Sequence, residues 1–277
     1  MTDGLVQLFE HVPGLLIVAF RLGGLMLFSP ILASAAVPVR VRAGLAFLVA
    51  AASYPLLHER GVVTVPAELD LLMLGGLIAR EAAIGAVVGW LAMLPLMIAQ
   101  TAGQAISTQL GLAFAEVYDP TTDASAEQLG QMLTWLALVC FLTIGGHAWL
   151  FLAVLRTFDY VPVGGFTVDA ELLRLATGLA LSAMEVGLRL CAPVLALVFL
   201  ESLALGFMSK TTPQINILSL GFPLRILAGV TMFALGLHVT GDILMIELHG
   251  MLDAIHVWAT DGRDVLHGSA LQGADGG

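Results

Sequence analysis

His249, Asp253 and His256 stand at i, i+4 and i+7, which would set three possible ligands for a divalent cation on one face of a helix. No CxxC or HExxH accompanies them, so the trio reads as the polar stripe of an amphipathic helix and no metal is assigned. His147, just after Gly145-Gly146, has the chemistry of a proton relay but sits in a run that reads as packed helix. Ser202 and Ser209 lack a nearby His and acid to activate them, and the sequence has no glycine-rich phosphate loop. Neither catalysis nor a cofactor is expected.

The chain instead carries charge set into its apolar runs. Arg21 lies in the first, Arg80 and Glu81 in the third, Glu185, Arg189 and Glu201 in the fifth, and Arg225, Asp242 and Glu247 in the last. A charge at the centre of a bilayer costs ~2.5 to 3.5 kcal/mol on insertion scales, while a leucine returns only ~0.3 to 0.6. Helices loaded in this way must face protein or water over part of their length. Arg21, Arg80, Glu81, Glu185 and Arg189 are therefore expected to be buried charges that pack helices and subunits together. Glu185 and Arg189 have the i, i+4 order, acid first, of a same-face ion pair.

Composition sets the wider frame. Of 277 residues 58% are hydrophobic and 12% charged, with a mean hydropathy of +0.95, outside the range of soluble domains. The fold class is all-α, a polytopic membrane-type helical protein. Charge-free stretches run from Leu22 to Val39, Ala82 to Ala115 and Gln128 to Gly146. Six helical regions are predicted at 12–33, 43–57, 69–100, 129–155, 175–208 and 215–248, with an amphipathic stretch to 260. The acidic flank of Asp3 and Glu10, and Arg21 within the apolar stretch, argue against a signal peptide ending at Ala33-Ser34-Ala35-Ala36. A net charge of −10 without a Lys/Arg cluster excludes nucleic acid as a partner. Cys140 and Cys191 read as small buried hydrophobes, not a disulfide.

Loop charges do not orient the chain: Arg40, Arg42, Lys210 and Arg225 fall on one side, Arg60, Arg156, Arg174 and Arg263 on the other. The last two regions, about 51 Å each as straight helices, overshoot a hydrocarbon core of about 30 Å. Lys210-Thr211-Thr212-Pro213 breaks the pattern between them, giving a long antiparallel hairpin in which Pro193 and Pro223 kink the arms. Gly85 and Gly89 form a GxxxG suited to close helix approach. Residues 100–128 carry no Lys or Arg and contain the helix breaker Asp119-Pro120; their Gly, Gln, Ser and Thr suit a water-filled lumen better than lipid.

Three stretches go beyond generic membrane sequence: Gln109-Leu-Gly-Leu-Ala-Phe-Ala-Glu-Val-Tyr118-Asp119-Pro120, Phe141-Leu-Thr-Ile-Gly-Gly-His147-Ala-Trp-Leu150, and Pro213-Gln-Ile-Asn-Ile-Leu-Ser-Leu-Gly-Phe-Pro-Leu-Arg225-Ile. With Val37-Pro-Val-Arg-Val-Arg-Ala-Gly44 and Arg80-Glu-Ala-Ala-Ile-Gly85, their order and spacing resemble the FliR family, the R subunit of the bacterial flagellar type III protein export gate. The resemblance covers residues 10–258.

It implies a non-enzymatic channel subunit through which unfolded flagellar proteins are exported for flagellum assembly. It also implies a P-subunit-like helical part over 1–165 and a Q-subunit-like long hairpin over 166–258; the tail over 259–277 lies outside the resemblance and, rich in Gly and Asp, reads as disordered. The family's channel plug falls by motif on Gly111, Leu112, Phe114, Val117, Tyr118, Asp119 and Pro120. Val117-Tyr118 stands where the family often has a bulkier aromatic pair. The cytosolic turn falls on Lys210, Pro213, Gln214 and Asn216, with Gly221, Phe222, Pro223 and Arg225 behind it. Implied partners are P-type and Q-type gate subunits, the switch protein and the large export-gate protein of the same apparatus, unfolded flagellar export substrates and the membrane. The implied location is the bacterial inner membrane in the flagellar basal body, with the gate raised toward the periplasm. The rival reading is a secondary transporter or ion channel with a midplane site on Arg80, Glu81 or Glu185.

Overall fold

A computed structural model describes residues 2–34, 37–64, 70–112, 128–168, 170–211 and 217–261. Seven helices fill the described residues, with no strand among them: α1 Thr2–Phe28, α2 Val39–Glu59, α3 Leu71–Leu110, α4 Gln128–Thr143, α5 Gly146–Tyr160, α6 Ala170–Thr211 and α7 Ile217–Asp261. Five of them are long and apolar enough to cross a membrane, or six spans if α4 and α5 are counted as one broken span. At 42 and 45 residues, α6 and α7 exceed a hydrocarbon core of about 30 Å by roughly a factor of two.

Where the boundaries differ from expectation, local chemistry explains why. Helix α1 stops at Phe28 rather than 33, because Pro30 disfavours helical backbone in the residue before it. Helix α3 continues ten residues past the expected end at 100. Its polar residues satisfy themselves: the hydroxyls of Thr101 and Thr108 donate to the carbonyls of Met97 and Gln104 at 2.8 and 2.9 Å. It ends only at Gly111, whose φ of +79° closes a Schellman cap in which Gly111 N–H donates to Thr108 O and Leu112 N–H to Ser107 O, both at 3.0 Å. The single region expected over 129–155 is two helices, because Gly145 adopts φ +69° and no helix passes through that backbone.

The chain forms two compact units, each drawn from several parts of the sequence. The first holds Met1–Met93, Gly145–Leu179 and His249–Gly277. Within it α1 packs on α2 and α5, and α1 crosses α3 through glycines. A Cβ on Gly24 would strike the Ala82 carbonyl oxygen, one on Gly85 the Arg21 carbonyl oxygen, and one on Gly89 would come within 2.7 Å of Leu25 O. The GxxxG of α3 is thus a close-approach surface, as its spacing predicts. Ile17, Leu22, Leu25 and Met26 of α1, Ile84 and Leu91 of α3, and Leu150, Val154 and Phe158 of α5 fill the core.

The second unit holds Leu94–Ile144 and Ala180–Leu248. Here α3 and α4 meet glycine to glycine: a Cβ on Gly103 would lie 2.5 Å from Gly130 Cα. Ile98 of α3 rests against Gly187 of α6, and Leu110 against Gly229 of α7. Both cysteines are free and buried.

Candidate functional site

The first unit is organised around one guanidinium. Arg21 and Glu81 are both 0% exposed, and Arg21 Nε meets Glu81 Oε2 at 2.6 Å. The other nitrogens of the fork are engaged as well: Nη1 donates to Thr157 Oγ1 at 2.9 Å and Nη2 to the Val161 carbonyl at 3.2 Å. The cation also lies over the Phe158 ring, 3.6 Å from its centroid. Glu81 Oε1 accepts from the N–H of Gly164 at 2.8 Å, and the neighbouring Arg80 Nη1 donates to the Gly164 carbonyl at 2.9 Å. Gly164 takes φ +73°, a conformation in which any other residue would be strained, and a Cβ there would also press on Leu77 Cδ2 at 2.5 Å. One ion pair thereby ties α1, α3, α5 and the loop after α5 together. With Arg21 and Glu81 fully buried and their polar groups paired, the cluster holds these helices together.

Of the five charges expected to be buried, Arg21 and Glu81 are buried in the single chain. Arg80 is exposed, held by the Gly164 carbonyl. Glu185 and Arg189 form the i, i+4 pair read from their spacing, at 2.5 Å, but 64% and 63% exposed. These three are exposed in the single chain, on faces open to other subunits. On α6, Leu181 and Leu188 near Glu185 and Arg189 are each 67% exposed as well.

In the second unit Arg225 Nε donates to Glu201 Oε2 at 2.9 Å and Arg225 Nη2 to Ser202 Oγ at 2.8 Å, joining the two arms of the hairpin. Sequence reasoning named Arg225 but missed the pair. A signal existed: Glu201 lies twelve residues before Pro213 and Arg225 twelve after, and residues equidistant from a hairpin turn face each other. Lys210 is exposed at the end of α6, and Gly221, Phe222 and Pro223 lie on α7. Pro213, Gln214 and Asn216 lie outside the described residues.

Of the expected plug, Gly111 and Leu112 form the cap of α3, whereas Phe114, Val117, Tyr118, Asp119 and Pro120 lie outside the described residues. His256 is committed elsewhere: its Nε2 accepts from Arg156 Nη1 at 3.0 Å and its ring meets Trp149 edge-on. Among the described residues no group of three His, Cys, Asp or Glu is arranged to hold a metal. Sequence alone also missed Thr157, Phe158, Val161 and Gly164, which lie 136 or more residues from Arg21.

The family model for bacterial export proteins, family 1, matches residues 12–250. The chain is 31% identical over 214 residues to flagellar biosynthetic protein FliR of Escherichia coli (strain K12), covering 77% of this chain and 80% of that one. The chain belongs to the FliR family. FliR of Bacillus subtilis (strain 168) is 28% identical over 227 residues, 81% of this chain and 85% of that one. The similarity extends to Yop proteins translocation protein T of Yersinia pestis, 25% identical over 189 residues, 68% of this chain and 71% of that one.

Proposed function

We propose that this chain is a structural channel subunit of a flagellar type III export gate, through which unfolded flagellar proteins leave the cell. Membership of the FliR family over most of the chain carries this reading. The fold agrees with it. The protein is all helical and long enough in α6 and α7 to pass well beyond a bilayer, and its chemistry is that of helix-holding ion pairs. A midplane transport site finds little support. Both oxygens of Glu81 are engaged, Arg80 is held by a backbone carbonyl, and Glu185 is paired with Arg189.

The finer picture follows from family kinship. Residues 1–165 act as the P-like part and 166–258 as the Q-like hairpin. P-type and Q-type subunits cover the exposed apolar faces of α6 and α7, with Glu185, Arg189 and Arg80 among the groups they meet. The switch protein and the large export-gate protein lie at the cytosolic end, near Lys210 and the turn that follows. Gly111 to Pro120 supply the plug, and the gate sits in the inner membrane of the basal body, raised toward the periplasm. The subunit is read as non-enzymatic and without cofactor.

The test is co-expression with the P-type and Q-type subunits of the same operon, followed by native mass spectrometry. A stable complex containing one or more copies of each supports the assignment. A monodisperse, protease-resistant monomer that ignores those partners overturns it.

A further inference from the structure

Two histidines meet at one end of the α1–α2 pair. His11 opens the apolar span of α1 and His58 stands next to last in α2, so the antiparallel packing of these helices brings them together where the spans give way to water. Their ring centroids lie 4.8 Å apart with the planes at 85°, and both residues are exposed. Tyr54 joins them. Its ring stacks on that of His58, one turn further along α2, with centroids 5.6 Å apart, and its hydroxyl lies 3.1 Å from His11 Nδ1. The phenol sits in a notch of α1: a Cβ on Gly14 would come within 2.8 Å of Tyr54 Cε2 and 2.9 Å of its oxygen.

The phenol engages one nitrogen of His11 and leaves the other. With Nδ1–H donated to the Tyr54 oxygen, the lone pair of the imidazole falls on Nε2. Among the described residues no hydrogen bond occupies His11 Nε2 or either nitrogen of His58. Neighbouring imidazoles, one of them oriented through its far nitrogen by an oxygen acceptor, are how proteins hold borderline divalent ions. The charges at this end do not oppose a cation: Arg60 is paired with Asp159 at 3.7 Å, and Glu59 is exposed beside His58.

We propose that His11 and His58 form a binding site for a divalent ion of the copper, nickel and zinc group, with water in the remaining positions and Tyr54 as the positioning residue for His11. Imidazole ligands favour this group over magnesium and calcium, which take oxygen. The site is separate from His249, Asp253 and His256, the last of which is held by Arg156. A bound ion would tie the start of α1 to the end of α2, and it can enter from water because both histidines are exposed. This role does not depend on the export reading, and either can fail alone.

The experiment uses the full chain co-expressed with its P-type and Q-type partners and purified without a polyhistidine tag. The complex is titrated with Cu2+ near neutral pH, bound copper is counted, and its electron paramagnetic resonance spectrum is recorded. Wild type is expected to bind one more copper per copy of this chain than the His11→Gln/His58→Gln double variant, with hyperfine coupling to two ring nitrogens. Each single histidine variant should weaken that site roughly 100-fold, the upper end for changes that only disturb a ligand's orientation, and Tyr54→Phe about tenfold. Millimolar Mg2+ should leave it unchanged.

Equal copper binding by wild type and the double variant, an undiminished site in either single histidine variant, or displacement by Mg2+ overturns the proposal. Wild-type affinity in Tyr54→Phe overturns the positioning role of the phenol. The two histidine variants are read separately, so that if one fails to assemble the other decides.

Discussion

Glu81 holds Gly164 with the carboxylate oxygen that Arg21 leaves unused: Oε2 takes the guanidinium at 2.6 Å and Oε1 the Gly164 N–H at 2.8 Å. Arg80, the residue before it, takes the carbonyl of the same glycine. Two consecutive residues of α3 thus grip both polar groups of one residue in a left-handed turn, while one of them neutralises a cation from α1. This arrangement explains how a chain so apolar tolerates Arg21 at full burial.

Removing one member of the pair should cost far more than removing both. Glu81→Gln leaves the buried guanidinium without a counter-charge, a loss of about 3 to 5 kcal/mol, whereas Arg21→Met with Glu81→Leu removes the need for compensation. The expected order in a detergent thermal-aggregation assay of the complex is wild type, then the double variant, then Glu81→Gln with the lowest midpoint. Equal midpoints for Glu81→Gln and wild type would show that the pair is not what holds the unit.

Two glycine substitutions should move in opposite directions. Gly85→Ala places a methyl against the Arg21 carbonyl oxygen, a backbone atom that cannot step aside, and should force α1 off α3. Gly44→Ala, on an exposed face of α2 with open space around it, should gain about 0.5 to 1 kcal/mol from backbone entropy alone. Yield and aggregation midpoint of the two variants, measured side by side, check this.

How much could be read beforehand depended on the range of the interaction. Helix identity, the GxxxG crossing and the Glu185–Arg189 pair are local patterns, and each appears in the structure. The partners of Arg21 were out of reach, because Glu81 is 60 residues away and Thr157 136, and no periodicity links them. The break at Gly145 was hidden because Gly-Gly inside an apolar run reads as ordinary membrane glycine until φ turns positive. Polar residues after Gln100 suggested an end to α3 that their own back-bonded hydroxyls made unnecessary. The true end of α3 at Gly111, ten residues past the expected one, is a backbone cap that depends on a positive φ, which periodicity does not show.

The hairpin turn offers a test of orientation that the loop charges could not supply. On the proposed function the turn after Lys210 faces the cytosol. A cysteine at Thr212, in a chain whose native Cys140 and Cys191 are replaced by Ala, should react with a membrane-impermeant maleimide only after the cytosol is opened. Labelling from the periplasmic face of intact inner membranes would reverse the assignment.

Conductance gives the most direct test of the seal. Leu112, Phe114, Val117 and Tyr118 are the apolar side chains of the proposed plug, and a narrow lumen filled with such groups excludes water and ions by dewetting. Glycine in place of Phe114 and Tyr118 removes the two largest of them while leaving the cap at Gly111 and the Leu110–Gly229 contact intact. The complex should assemble with unchanged composition and yet pass small ions at rest, whereas replacement of Phe114 by Leu and Tyr118 by Phe should keep it closed, since apolar bulk is preserved. An assembled Phe114→Gly/Tyr118→Gly complex that conducts no more than wild type would move the plug to other residues or to another subunit.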